Sequence, residues 1–278
     1  MIKSNIFIAL AAVFLAIETQ IQLGMNPQWH PYLFIIFFAT LFEYNLHRFI
    51  TVVTNKQALN NEKHHWVKEH LILFYIVVAL SAIGFIISLF LAQKAVLIAL
   101  APIGLLTLFY SFPVVKFFRL REVPGLKVFM IAFIWSALTV LLPLIHTPIS
   151  FSKVQGTIIL IERFLFILAI TIPFDIRDME GDKQYGLKTI PLLIGEQKSI
   201  TFANSSIVLF VIISTIHYLK TGSTGILFAF IISAFSTLLF LNNKKIRLLP
   251  YYHYGILDGT MLLQGLLVYL FYFIEINI

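Results

Sequence analysis

"FDIRDMEGDKQYGLKTIPLLIG", residues 174–195, decides how this chain is read. It begins where an apolar segment ends and sets Asp175, Asp178 and Asp182 close together. Positions i, i+3 and i+7 share a helix face. Three carboxylates at a helix end can therefore direct oxygens at one spot. Hard oxygen ligands suit Mg²⁺, which keeps several waters and bridges to substrate phosphates. Arg177, Lys183 and Lys188 stand nearby with charge to neutralise phosphate oxygens. Glu180 points to another face. The plainer alternative is a solvated polar loop, because charges at a helix end cost little near a membrane interface.

What lies on either side of this stretch favours lipid as the solvent. The chain has 278 residues, 59% of them hydrophobic and 12% charged, with a mean hydropathy of +0.92. A soluble domain is nearer half apolar and a quarter charged. The apolar segments follow one another with short gaps, so one membrane domain over 1–278 is expected. With no cysteine, a disulfide framework, a thiolate nucleophile and a cysteine zinc site are excluded. The first apolar run follows Lys3 but ends without a small-x-small cleavage site, which reads as a retained helix.

Nine apolar segments reach roughly the ~20 residues that a spanning helix needs. They cover about 5–24, 31–51, 71–92, 95–112, 127–146, 156–175, 199–219, 223–241 and 253–275. The expected fold is all-α: a polytopic membrane protein with nine transmembrane helices around a central cavity. Lys94, Lys153, Lys220 and Arg163 fall on one side of this arrangement, and every other lysine and arginine falls with Lys3 on the other. Positive charge marks the cytoplasmic side. The N-terminus is then cytoplasmic and the C-terminus outside, in a multi-pass protein of the bacterial cytoplasmic membrane. The net charge of +7 is mostly this topology signal and does not require a nucleic-acid partner.

A second stretch, "YSFPVVKFFRLREVPGLK" (110–127), falls on the same side as the aspartates. Tyr110, Lys116, Arg119 and Arg121 would stand at that mouth. Alone they also fit a positive-inside loop with an aromatic anchor. Taken together, the two stretches resemble the UbiA superfamily of intramembrane prenyltransferases. "RDMEGDKQYGLKTIPLLIG" is similar to that family's second aspartate motif, with Asp178 and Asp182 on the two metal-site aspartates and Gly186, Thr189 and Gly195 downstream. "YSFPVVK" resembles the tyrosine–lysine element after the fourth helix.

The resemblance implies Mg²⁺-dependent prenyl transfer from a polyprenyl diphosphate to a hydrophobic acceptor, aromatic or quinone-precursor, with the tail in a lipid-lined cavity. It implies Asp178, Asp182 and Asn45 as the catalytic set. Asp175 joins Asp178 and Asp182 at the metal. Tyr110, Lys116, Arg119, Arg177, Arg48 and Lys188 hold the diphosphate. The sequence departs from the family at the first motif, Asn-Asp-x-x-Asp-x-x-x-Asp. Asn45 keeps the leading asparagine, but Leu46, Phe49 and Val53 stand at the aspartate positions. Glu43, His47 and Arg48 are the polar residues left there, and His47 and Arg48 can meet a diphosphate directly. A second function follows from that loss, a non-catalytic isoprenoid- or lipid-binding membrane protein.

A third reading is a His-rich metal oxidoreductase, from His64, His65, Glu69 and His70 with His47 and His253. A single His-His pair and no protease zinc spacing weigh against it. An interfacial loop over 60–70 accounts for the same residues. Charges inside the bilayer are costly unless paired. Glu18 and Arg163 are therefore expected as a structural ion pair, less than about 8 Å apart. Asp258, in the last segment, is a candidate for acceptor or diphosphate contact, or a buried hydrogen bond between helices. Gly255, Gly259 and Gly265 suit close helix packing.

Overall fold

Lipid offers backbone groups no hydrogen bonds, so helices are the spanning form open to a single chain of this kind. The computed structural model describes residues 3–54, 65–111, 120–146 and 153–277, apart from the side chains of 51, 52, 54, 65, 276 and 277. Among these residues it contains helices and no strand. The first half holds α1 (Ile6–Gln22), α2 (Pro31–Thr54), α3 (His65–Glu69), α4 (Leu71–Leu91), α5 (Lys94–Ser111) and α6 (Leu126–His146). The second half holds α7 (Lys153–Arg177), α8 (Met179–Gln184), α9 (Ile190–Ile194), α10 (Glu196–Thr221), α11 (Thr224–Asn242), α12 (Lys244–Arg247) and α13 (Asp258–Asn277). A 3₁₀ turn at Leu120–Glu122 precedes α6, and a π-helical turn at Tyr252–Leu257 leads into α13.

Among the described residues, nine long helices match the nine expected segments. Eight are long and apolar enough to cross a membrane, counting the π turn with α13. The ninth, α1, has 17 residues and packs on α2, α6 and α13. Contacts run from α1 to α13, α11, α10, α7 and α6, and back to α1; α2 and α4 pack together beside α1, and α5 lies on α6.

The outer faces carry large apolar side chains such as Ile72, Phe90 and Phe235, all strongly exposed. The interior is where polarity collects. Lipid gives helices little hydrophobic reason to associate, so small residues and interhelical hydrogen bonds must hold them. Arg163 on α7 donates to Glu18 of α1 at 2.8 Å, to the Leu15 carbonyl at 2.9 Å and to Thr139 of α6 at 3.3 Å. Gln264 of α13 donates to Glu18 at 3.1 Å and accepts from Ser233 of α11 at 3.1 Å. Tyr218 of α10 donates to Glu162 at 3.1 Å, and His217 Nδ1 lies 3.0 Å from the same carboxylate. The expected Glu18–Arg163 pair is therefore present, inside a network that joins α1, α6, α7, α10, α11 and α13. Gly265 lets α13 meet α1 closely: a Cβ there would stand 2.7 Å from the Phe14 carbonyl.

Candidate active site at one end of the bundle

Five helix ends meet at one end of the bundle: the starts of α1, α6 and α13 and the ends of α2 and α7. They enclose a cavity of about 490 Å³. Its polar wall includes Asn5, His47, Arg48, Lys127, Asp175, Arg177, Asp178 and Asp258. Its apolar wall includes Tyr44, Trp135, Phe174, Tyr254 and Met261. A second cavity of about 310 Å³ lies between α2, α4, α5 and α6, lined by Phe42, Leu46, Phe85, Leu100, Ile103, Ile134 and Leu138. Tyr44 and Trp135 line both, with ring centroids 6.4 Å apart in an edge-on contact. A charged mouth thus adjoins an apolar chamber, and two aromatic rings stand between them.

The aspartate stretch folds differently from the uniform helix its spacing suggests. α7 stops at Arg177, Asp178 sits at the junction (φ −92°, ψ 6°), and α8 starts at Met179. Both Asp178 oxygens bind Arg177, at 2.9 Å to Nε and 2.7 Å to Nη2. Asp175 and Asp182 do share a direction. They meet at Lys127 Nζ, at 2.8 Å each. Two of the three predicted metal carboxylates thus converge, and the cation between them is a lysine. Asp178 is drawn aside by its neighbour because the helix breaks there.

Local backbone chemistry fixes Lys127. Gly125 takes φ +71°, a left-handed conformation that glycine adopts without strain. Its N–H donates to the Lys188 carbonyl at 2.7 Å. This bond ties the start of α6 to the loop between α8 and α9, which begins with Leu187 N–H donating to the Asp182 carbonyl at 2.9 Å. Lys188 thus contributes its backbone. Its side chain is exposed and outside the cavity lining.

Arg177 is held against two aromatic rings. Its guanidinium lies over the rings of Phe174 and Tyr254, at 5.2 and 4.9 Å from the centroids. Its Nη1 is buried without a hydrogen-bond partner among the described residues, as are Asp175 Oδ2 and Arg121 Nε. Buried polar atoms are normally paired; of these three residues, Arg177 and Asp175 line the cavity and Arg121 does not. Arg48 lines the same cavity and donates to the Lys3 carbonyl at 2.6 Å. Tyr110 lies within electrostatic reach of Lys127, Asp175, Arg121 and Asp182. Asp258 is buried in the lining, where the π turn hands over to α13.

Other predicted residues fall elsewhere. Asn45 is fully buried and outside the cavity lining. It accepts from Asn5 at 3.0 Å and donates to Leu41 and Ser4 carbonyls at 2.8 and 3.2 Å. Its amide ties the N-terminal segment to α2. Glu43 and His47 pair at 3.0 Å as i, i+4 neighbours, and Ser111 lies within 3.1 Å of both. Lys116, Arg119 and His64, and the His65 side chain, lie outside the described residues. His70 stacks on Trp66. Among the described residues no group of three His, Cys, Asp or Glu side chains is placed to hold a metal.

A divalent ion on the aspartates therefore has a poor fit in this arrangement. Leu46, Phe49 and Val53 offer no donor, Lys127 occupies Asp175 and Asp182, and Arg177 occupies Asp178. Sequence reasoning counted Lys127 only as one of the basic residues on its side. The signal was its place just inside a spanning segment, where a charge needs a partner.

The family model of the UbiA prenyltransferase family matches residues 68–249. The chain belongs to that family. The match includes the aspartate stretch and begins past Asn45–Val53. Solved UbiA homologues share the fold over nearly the whole length. One from Archaeoglobus fulgidus, bound to DMAPP and Mg²⁺, has a TM-score of 0.62 at 15% identity and 98% coverage of both chains. An apo homologue from Aeropyrum pernix K1 has a TM-score of 0.65 at 12% identity and 99% coverage of both. A digeranylgeranylglyceryl phosphate synthase has a TM-score of 0.57 at 17% identity, covering 97% of this chain and 94% of its own. No curated protein sequence gives a match. As a UbiA family member with many apolar helices, this is a multi-pass membrane protein.

Proposed function

We propose that this protein transfers a prenyl group from a polyprenyl diphosphate to a lipid-soluble acceptor, aromatic or quinone-precursor, within the membrane. The observation that carries the reading is Arg177. Its side chain lines a cavity together with Arg48 and Lys127, next to an apolar chamber, and its buried Nη1 has no hydrogen-bond partner among the described residues. A diphosphate needs several cationic donors in a site that excludes water, and a prenyl tail needs apolar walls.

The C1–O bond of the donor breaks, and its electron pair leaves with the diphosphate. Arg177, Lys127 and Arg48 stabilise the charge gathering on the departing oxygens. The allylic carbon becomes cationic, and the faces of Tyr44 and Trp135 suit it. The acceptor supplies the electron pair of the new bond and gives up a proton. His47, steered by Glu43, is the residue in the mouth best suited to take it. Asp258 is the second candidate for acceptor contact. The excess of basic residues on this side supports a cytoplasmic mouth, and the setting proposed for it is a bacterial cytoplasmic membrane.

A second reading, binding of an isoprenoid without turnover, is favoured by Leu46, Phe49 and Val53 in the first motif and by the enclosed Asn45. Incubating the purified protein with labelled polyprenyl diphosphates and lipid-soluble acceptors separates the two. Transfer that vanishes in Arg177→Ala supports the enzyme. Tight prenyl diphosphate binding with no product from any donor–acceptor pair supports the binder.

A further inference from the structure

Lys127 stands between two of the three carboxylates that the sequence offers to a metal. Its ammonium is 2.8 Å from Asp175 Oδ1 and 2.8 Å from Asp182 Oδ2, with the side chain 15% exposed. The two carboxylates come from opposite sides of the α7–α8 break and share this one cation. The ammonium is positioned by backbone rather than left to wander: the Gly125–Lys188 bond anchors the start of α6 beside the aspartates. The third aspartate, Asp178, already spends both oxygens on Arg177. The first motif has no carboxylate with which to hold a second ion.

We infer that Lys127 is a built-in cation that takes the place of a divalent ion between Asp175 and Asp182, so the mouth binds a diphosphate without an obligatory metal. This rests on the diphosphate reading of the site. An ammonium supplies one positive charge and three donors at a fixed place. Two are spent on the carboxylates. The guanidinium groups of Arg177 and Arg48 line the same cavity: Arg177, its charge already offset by Asp178, brings donor geometry, and Arg48, which donates to a carbonyl rather than a carboxylate, brings positive charge. Removing Lys127 leaves two neighbouring carboxylates without their cation, a donor set suited to a hard divalent ion. The lysine thus also keeps the resting site closed to metal.

Mn²⁺, followed by electron paramagnetic resonance on the full chain in detergent with no diphosphate present, tests the inference. Wild type is expected to bind Mn²⁺ weakly, and Lys127→Met to bind it at least about tenfold more tightly, because a buried charge has lost its partner. In a second arm, inorganic pyrophosphate binding is titrated in EDTA and in Mg²⁺. Wild type should bind alike in both, whereas Lys127→Met should bind only with Mg²⁺. Should Lys127→Met fail to fold, Lys127→Arg keeps the cation and must bind pyrophosphate in EDTA as wild type does. Equal Mn²⁺ affinity in wild type and Lys127→Met, or loss of wild-type pyrophosphate binding in EDTA, overturns the inference. Absence of diphosphate binding in both conditions overturns the reading of the site instead, and the Mn²⁺ arm then decides the role of Lys127 by itself.

Discussion

Asn45 spends its side-chain amide on the chain, bonding Asn5, Ser4 and Leu41, while Arg177, in the cavity wall, has a buried nitrogen without a partner among the described residues. Their substitutions should separate accordingly. Asn45→Ala strands buried partners and is expected to cost about 1–3 kcal/mol of stability, read by thermal unfolding in detergent. Prenyl diphosphate affinity of the folded protein should change little. Arg177→Ala should behave in the opposite way. A charge-assisted bond contributes about 1.5–3 kcal/mol, so affinity should fall about ten- to a hundredfold in a binding titration. At this scale the sequence was read well for chemistry and less well for direction. Arg177 is named by its place beside Asp178. Asn45 looks like a site residue because its neighbours in the chain are the motif positions, yet its amide turns to the N-terminal segment, a contact forty residues away that no local pattern announces.

The long helices were legible because lipid demands apolar runs of spanning length, and all nine stand where those runs lie. Two local breaks were not. The junction at Asp178 and the π turn at Tyr252–Leu257 are backbone events that hydropathy does not register. Both border the cavity, in keeping with the habit of π turns to mark functional sites. The pairing of Glu18 with Arg163 was legible, since each is a charge that lipid would penalise alone. Glu18→Ala leaves Arg163 buried without its carboxylate and should destabilise by about 3–5 kcal/mol. Gly265→Ala pushes a methyl toward the Phe14 carbonyl at 2.7 Å and should cost about 1–3 kcal/mol by forcing α1 and α13 apart. Unfolding temperatures of the two variants against wild type check both.

Across the whole molecule, the polar network holds one part of the bundle rigid while five helix ends shape the mouth at one end. The apolar chamber beside it lies between α2, α4, α5 and α6, so it could not be read from any one segment. Its aromatic boundary carries a prediction. Trp135→Ala joins the mouth to the chamber, and the preferred donor should shift toward longer prenyl chains in a competition between diphosphates of different length. An unchanged preference would place the tail elsewhere. The central claim, that the diphosphate sits among Arg177, Lys127 and Arg48, is tested most directly by an experimental structure with a non-hydrolysable prenyl thiodiphosphate. Phosphate oxygens are expected within hydrogen-bond distance of the Arg177 guanidinium and Lys127 Nζ, with the tail running past Tyr44 and Trp135. A diphosphate bound instead among Lys244, Arg247 and His253, in the pocket on the other side of Arg177 and away from Lys127 and Arg48, would contradict it.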